Sequence, residues 1–178
     1  MSILKWLGLA GGLPGRAPVG DTDTVRRIVQ ELDRLPPADA RYIAAFAYIL
    51  GRVAMADLAI SADETQAMER IVTERGGLPE EQAVIVVQMA KSQNQLFGGT
   101  EDFLVTREFN TMASHEQKLH LLECLFAVAA SDASITLAED QAIARIAAEL
   151  KIDHADLVRA RLAHRDYLSV LRRPGPQP

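Results

Sequence analysis

The sequence predicts an all-α protein, a compact bundle of about seven to eight helices with an internal duplication of a three-helix unit. Hydrophobic residues make up 48% of the 178 residues but aromatic residues only 5%, which favours packed helices over a β-sandwich. Apolar residues recur at helical spacing along most of the chain. The stretch "VAMADLAISADETQAMERIV" (residues 53–72) is matched in residue type, seventy-five positions later, by "VAASDASITLAEDQAIARIA" (residues 128–147).

The length favours one domain with a sizeable core, which we place at residues 21–172. Residues 1–20 precede it as an N-terminal segment that ends in a glycine- and proline-rich linker. Residues 173–178 are too rich in proline for a helix and are predicted to be a disordered tail. Within the domain, the two repeat units span about residues 40–97 and 115–172.

A first helix is expected after Asp21, and Pro36 and Pro37 end it and start the next, since proline suits the first turn of a helix. That next helix, about residues 38–57, is apolar on nearly every side, which is typical of a helix buried at the centre of a fold. The run "LLECLFAVAA" has the same character in the second repeat. We therefore expect the two apolar helices to lie side by side in one core.

Each repeat continues with an amphipathic helix and then a third helix. The third helices are expected at "PEEQAVIVVQMAKSQNQLF" and "HADLVRARLAHRDYL", and a bridging helix at "EDFLVTREFNTM" connects the repeats. Ser114 and Gln117 form a capping box for the helix that opens the second repeat. The apolar faces of the amphipathic helices consist of Met68, Ile71 and Val72 in the first repeat and Ile143, Ile146 and Leu150 in the second.

The duplicated stretch contains an acidic turn between two helices. We call residues 55–61 the first acidic turn and residues 130–136 the second. Each turn ends on a Ser or Thr at the N-cap position of the next helix, and a Glu three residues later completes a capping box. Helix capping alone can therefore explain both glutamates. The two pairs are Ser61 with Glu64 and Thr136 with Glu139.

Asp57 and Asp132 have no such local explanation. They are expected to end apolar helices, where the negative end of the helix dipole makes a carboxylate unfavourable by up to about 1 kcal/mol. A cation would offset both the carboxylate and the unpaired main-chain carbonyls. If the central helices are neighbours, the acids of both turns could form one cluster, and oxygen ligands favour Ca²⁺, Mg²⁺ or Mn²⁺ over Zn²⁺. The candidate metal ligands are Asp57, Glu64, Asp132 and Glu139, and the alternative is that these residues are caps and solvent-exposed acids.

At these turns the sequence resembles the TerB family of tellurite-resistance and related stress proteins. That family is itself similar to the amino-terminal domain of some membrane-anchored DnaJ-type co-chaperones. The shared pattern is a small-residue helix end, Ala-Asp-Gly, then an Ile, a cap and a Glu, in two copies that appear here as "MADLAISADE" and "ASDASITLAED". The resemblance covers most of residues 42–168. It implies an all-helical fold and a divalent-metal site at the four turn acids named above.

One departure from the family pattern concerns the glycine that follows each aspartate. Leu58 and Ala133 replace it in this sequence. Because a residue with a Cβ atom is disfavoured at positive φ, both turns are expected to avoid a positive φ at these positions.

The sequence predicts that the protein is not an enzyme. No nucleophile is paired with a base, and the four histidines fall at no ligand or triad spacing. Cys124, the only cysteine, lies in an apolar run, which indicates a small core residue and is compatible with a reducing compartment. A hydrolase that uses clustered carboxylates and a metal is the minor alternative. The four histidines are His115, His120, His154 and His164.

The net charge of −5 argues against nucleic acid as a partner, since phosphates require a basic surface. No run approaches the roughly 20 apolar residues of a membrane span, and the opening residues do not match a signal peptide, so a cytoplasmic location is expected. Residues 3–9 could lie on the inner-membrane surface or dock on a protein, with a loose or self-docked terminus as the alternative.

Two functional hypotheses follow. The first is a metal-dependent interaction module in a stress response, and the second is a structural adaptor without metal that uses a helix groove or the N-terminal segment. The sequence does not specify the protein partner or the oligomeric state.

Overall fold

The structure is a computed structural model and describes residues 28, 30–54, 62–91 and 102–169. In these residues it contains helices but no β-strand, which confirms the all-α prediction; an isolated parallel bridge joins Ile135 and Leu168. A helical stretch that includes residues 30–33 comes first. The helices after it are α1 Pro37–Ala54, α2 Ala62–Glu74, α3 Glu80–Lys91, α4 Asp102–Met112, α5 His115–Ala129, α6 Leu137–Glu149, α7 His154–Ala163 and a short 3₁₀ helix, Arg165–Tyr167.

Helices α1 and α5 lie at the centre of the bundle. They pack against each other, α1 also packs against α3, α4 and α6, and α5 also packs against α2, α6 and α7. From Ile43 to Leu50, every side chain of α1 is at most 1% exposed, so all sides of the helix are covered. Each large apolar side chain buried in this way contributes about 1.5–3 kcal/mol. The prediction that the two apolar helices lie side by side is confirmed.

Helix starts follow the local sequence signals. Helix α1 begins at Pro37, as predicted. At the start of α5, the Ser114 side chain accepts a hydrogen bond from the Gln117 main-chain N–H at 3.2 Å, and the Gln117 side chain accepts one from the Ser114 N–H at 2.8 Å. The predicted capping box is therefore confirmed.

The third helix of the second repeat is shorter than predicted. Helix α7 ends at Ala163, and His164 leaves the helical conformation with φ −112° and ψ 17°. Leu168 is 2% exposed and pairs with Ile135, so the chain must turn back towards the core after α7. A continuous helix to Leu168 would not allow this contact, which is why the prediction was wrong here.

The helix boundaries repeat with the same offset as the sequence. Helices α2 and α6 each contain 13 residues, and both their first and their last residues are seventy-five positions apart. The duplication itself stays a prediction, as do the domain limits, since residues 1–20 and 173–178 lie outside the described residues. In the described part of the chain, no helix has both the length and the apolar character that crossing a membrane requires.

Candidate functional site

The second acidic turn connects α5 to α6 and is closed by main-chain hydrogen bonds. Ser131 N–H donates to the Val128 carbonyl at 3.1 Å, and Ala133 N–H donates to the Ala130 carbonyl at 2.9 Å. The side chain of Asp132 adds a third bond, because its Oδ1 accepts from the Ser134 N–H at 3.0 Å. An aspartate that bonds the main chain two residues on forms an Asx turn, so Asp132 has a local structural role.

This arrangement corrects the position expected for Asp132. The sequence places it at the end of the apolar helix, but α5 ends at Ala129 and Ala130 is its C-cap. Asp132 lies beyond the cap, in the turn, where its side chain is exposed and holds the main chain. Its counterpart Asp57 lies outside the described residues.

Ala133 corrects a second expectation. Its φ is +66°, in the left-handed region that its Cβ was expected to exclude. Such a conformation costs a non-glycine residue about 1 kcal/mol. The hydrogen bonds that Asp132 and Ala133 make within the turn offset this cost. The turn therefore adopts a glycine-like conformation without a glycine, whereas Leu58 lies outside the described residues.

Glu139 completes the capping box of α6. The Thr136 hydroxyl accepts from the Glu139 main-chain N–H at 3.2 Å, and Glu139 Oε2 accepts from the Thr136 N–H and hydroxyl, both at 2.8 Å. The carboxylate also lies at the positive end of the helix dipole. The predicted cap is confirmed, and it uses one oxygen of Glu139.

The four predicted ligands are only partly described. Among the residues whose side chains the structure describes, no three His, Cys, Asp or Glu side chains are grouped so that they could hold a metal ion. Glu64 lies in the first turn of α2, but the structure describes its main chain only, and Asp57 is outside the description. A cluster of Asp57, Glu64, Asp132 and Glu139 therefore stays a prediction.

A segment that follows α7 is hydrogen-bonded to the second acidic turn. We call residues 165–169 the strap. Ile135 N–H donates to the Tyr167 carbonyl at 2.7 Å, and the Ile135 carbonyl accepts from the Ser169 N–H at 2.9 Å. Sequence reasoning missed this contact because the residues are more than thirty positions apart and neither segment has a strand-like pattern.

A partly buried polar cluster at the end of α6 was also missed. Arg52 binds Glu149 through two hydrogen bonds, Nη1 to Oε2 at 2.7 Å and Nη2 to Oε1 at 3.1 Å. Asn110 Nδ2 donates to the Glu149 carbonyl at 2.6 Å, which connects the bridging helix α4 to the same point. The Arg52 hydrogen bonds, with its positive charge, lower the pKa of Glu149, and a hydrogen bond from Thr106 and the charge of Arg145 act in the same direction.

The sequence offers Cys124 and the histidines as possible catalytic groups, and the structure shows the environments of Cys124, His115 and His164. Cys124 is buried, and burial raises the pKa of its thiol to about 12, so the thiol is neutral at pH 7. His115 Nε2 lies 3.5 Å from Asp156 Oδ2, in a contact between α5 and α7 in which His115 is exposed and Asp156 is partly buried. The ring of His164 stacks on Phe126, with 5.7 Å between the ring centres.

An open cavity of about 520 Å³ lies against α2 and the start of α3. The described residues that line it are of polar types and carry both signs of charge. It is lined by Gln66, Glu69, Arg70, Thr73, Glu74 and Glu80.

Comparison with known proteins identifies one family. The family described as "Tellurite resistance protein TerB" matches residues 43–162, which is more than half of the chain and contains both acidic turns. Searches of curated proteins and of solved structures give no significant match. Helices from α1 to α7 and the two turns all contribute to the matched range. The chain therefore belongs to the TerB family of tellurite-resistance proteins.

Proposed function

We propose that this protein is a non-catalytic TerB module of a cytoplasmic stress response, which binds a divalent cation at its acidic turns and acts through protein contacts. The observation that carries the proposal is the geometry of Asp132 and Glu139. Each has one carboxylate oxygen engaged in holding the turn or the cap, whereas Asp132 Oδ2 and Glu139 Oε1 make no hydrogen bond to any described residue.

Such half-engaged carboxylates are suited to cation binding for two reasons. The hydrogen bonds fix the orientation of each carboxylate, which lowers the entropic cost of binding an ion. The remaining oxygens are hard donors of the kind that Ca²⁺, Mg²⁺ and Mn²⁺ prefer, and an exposed turn leaves room for water ligands. In this proposal Asp57 of the first acidic turn and Glu64 at the start of α2 complete the ligand set.

Titration calorimetry of the metal-stripped protein tests the proposal, with Ca²⁺, Mg²⁺ and Mn²⁺ as the ligands and thermal unfolding followed in parallel. We expect dissociation constants on the order of micromolar and a raised melting temperature. The informative variants are Asp132→Asn and Glu139→Gln. Because Asn and Gln keep the acceptor oxygen, the Asx turn and the capping box should survive while the charge is removed.

Asp153→Asn is the matched control. Asp153 is an exposed N-cap whose side chain makes no capping hydrogen bond, so the substitution removes one charge at another helix start. We expect this control to bind the cation like the unmodified protein, and the two turn variants to lose binding. Absence of binding up to millimolar cation would contradict the proposal.

The alternative is a structural adaptor without metal, favoured by the open cavity beside α2 and α3. A cavity of about 520 Å³ with a charged lining offers a helix groove to a protein partner. In that case Asp132 and Glu139 serve only to hold the turn and the cap. The same titration separates the two functions, because the adaptor requires no cation. The N-terminal residues 3–9, the other docking segment considered, lie outside the described residues.

A further inference from the structure

The strap forms both main-chain hydrogen bonds of Ile135, the next-to-last residue of the second acidic turn. Ile135 donates to Tyr167 and accepts from Ser169, which forms a parallel bridge. Ile135 lies three residues after Asp132 and directly before Thr136. The strap therefore fixes the chain between the Asx turn on one side and the capping box on the other.

The strap is mostly exposed and is anchored in the core through Leu168. Leu168 is 2% exposed and belongs to the same apolar core as Ile135, which is 1% exposed. The other strap residues that precede it, Arg165 to Tyr167, are exposed. A segment whose residues are mostly exposed is expected to open at a lower free energy than the whole bundle.

We propose that the strap positions the second acidic turn, and that the strap and the turn are coupled in both directions. When the strap opens, Ile135 loses both main-chain hydrogen bonds. Asp132 and Glu139, on either side of Ile135, are then no longer held in place. By linkage, a divalent cation that binds the positioned turn must stabilise the closed strap by the same coupling free energy. This second half rests on the proposed cation site, whereas the positioning role does not.

Hydrogen exchange of single amides in the full-length protein tests the positioning role, with Leu168→Ala as the main variant. The matched control is Leu157→Ala, which removes the same atoms from the core at α7, where Leu157 is 8% exposed. After correction for global stability, we expect the Ile135 amide to exchange about tenfold faster in Leu168→Ala than in the control. Equal exchange in the two variants would show that the strap contributes only general packing and would overturn the positioning role.

Ser169→Pro provides a second variant in case Leu168→Ala does not fold. Proline at 169 removes the N–H that donates to the Ile135 carbonyl but leaves the Leu168 side chain in place. Leu168 has φ −67° and ψ 113°, an extended conformation that a following proline tolerates. Faster exchange of the Ile135 amide in this variant is again the expected result, and unchanged exchange would contradict the proposal.

The coupling is tested by repeating the exchange measurement with saturating Ca²⁺. We expect the Ile135 and Ser169 amides to exchange more slowly with the cation, and Asp132→Asn to abolish the difference. If calorimetry detects cation binding but exchange at the strap is unchanged, the coupling is wrong and the proposed function stands. If no cation binds, the proposed function and the coupling both fail, while the comparison of Leu168→Ala with Leu157→Ala still decides the positioning role.

Discussion

Helices α2 and α6 end seventy-five positions apart, at the spacing of the predicted duplication, but the chain that follows each helix differs. Both helices end on a glutamate, Glu74 and Glu149, and both are followed by a residue with positive φ. After α2 this residue is Gly77, three positions beyond Glu74, with φ +67°, and after α6 it is Lys151, two positions beyond Glu149, with φ +56°. A left-handed residue at a helix end therefore does not require glycine in this protein.

The α6 end shows why a lysine is tolerated. The Lys151 N–H donates to the Ala148 carbonyl at 3.1 Å, and the Ile152 N–H donates to the Ala147 carbonyl at 2.9 Å. These are the two bonds of a Schellman motif, and Ile152, 8% exposed, belongs to the hydrophobic core. Together these interactions offset the cost of about 1 kcal/mol for a left-handed lysine.

The α2 end requires glycine for space as well. A Cβ atom on Gly77 would lie 2.8 Å from His120 Nδ1, and one on Gly76 would lie 2.4 Å from the Val72 carbonyl oxygen. These distances are too short for a side chain unless its neighbours move. The comparison shows that close approach of another group, rather than φ alone, determines where glycine is indispensable.

The environments of Glu74 and Glu149 also differ. A carboxylate at a helix C-terminus is unfavourable, and α6 offsets it with Arg52 from the last turn of α1. Glu74 is exposed and lines the open cavity, where water can solvate its charge. One helix end is thus fixed to the core by an ion pair, and the other faces solvent.

The substitution Arg52→Met, which removes the ion pair at the end of α6, should have the largest effect on stability. It leaves the partly buried Glu149 without its strongest partner, so we expect a loss of about 2–3 kcal/mol in the free energy of unfolding at pH 7. Because Arg52 lowers the pKa of Glu149, the stabilisation is present above about pH 4.3, the usual glutamate pKa, and is lost as the pH falls through the lower folded-state value. Urea unfolding at pH 7 and at pH 3 measures both effects.

Glu74→Gln is the control for this substitution. It neutralises the equivalent glutamate of α2, which forms no ion pair with any described residue, and should change the free energy of unfolding by less than about 0.5 kcal/mol. A loss in Arg52→Met that is no larger than in Glu74→Gln, or that persists unchanged at pH 3, would contradict a stabilising ion pair at the end of α6.

Gly77→Ala should have the next largest effect, a destabilisation of about 2 kcal/mol. About half comes from the positive φ and the rest from contact with the His120 ring. Thermal or urea unfolding measures the total. The same substitution made in a His120→Ala background isolates the φ term, since the ring is then absent. An equal cost in both backgrounds would show that the ring moves away freely and that close approach does not explain the glycine.

The features predicted from sequence were those set by nearby residues. The capping boxes of Ser114 and Thr136 depend on residues three positions apart, and the burial of α1 follows from its composition. The pairing of Arg52 with Glu149 could not be predicted in this way because 97 positions separate them and many other arginines could reach a helix end. The strap was missed for the same reason.

The acidic turns show the same limit of sequence-based prediction within a few residues. The rule that a Cβ atom excludes positive φ gave the wrong conformation for Ala133, because it omits the hydrogen bonds that Asp132 and the main chain make inside the turn. Asp132 looked unexplained because its partner, the Ser134 N–H, becomes available only in that turn conformation. The four-acid cluster requires contact between two turns, which residue spacing within one turn does not determine.

The smallest effects are expected where glycine replaces a left-handed residue. Ala133→Gly and Lys151→Gly should each stabilise the protein by about 0.5–1 kcal/mol, because glycine adopts positive φ without a steric cost. Glycine also gains more freedom in the unfolded chain, which reduces the benefit. Urea unfolding of each variant measures the net effect.

Ala148→Gly is the matched control, since Ala148 is an exposed residue within α6 and should lose about 1 kcal/mol on substitution. The opposite signs at positions 133 and 148 would show that the second turn maintains its left-handed residue at a cost in stability. That cost is small enough for the Asx turn and the strap to outweigh. If Ala133→Gly destabilised the protein as much as Ala148→Gly, the turn would not be left-handed at Ala133, and its resemblance to the glycine-containing family turn would be limited to sequence.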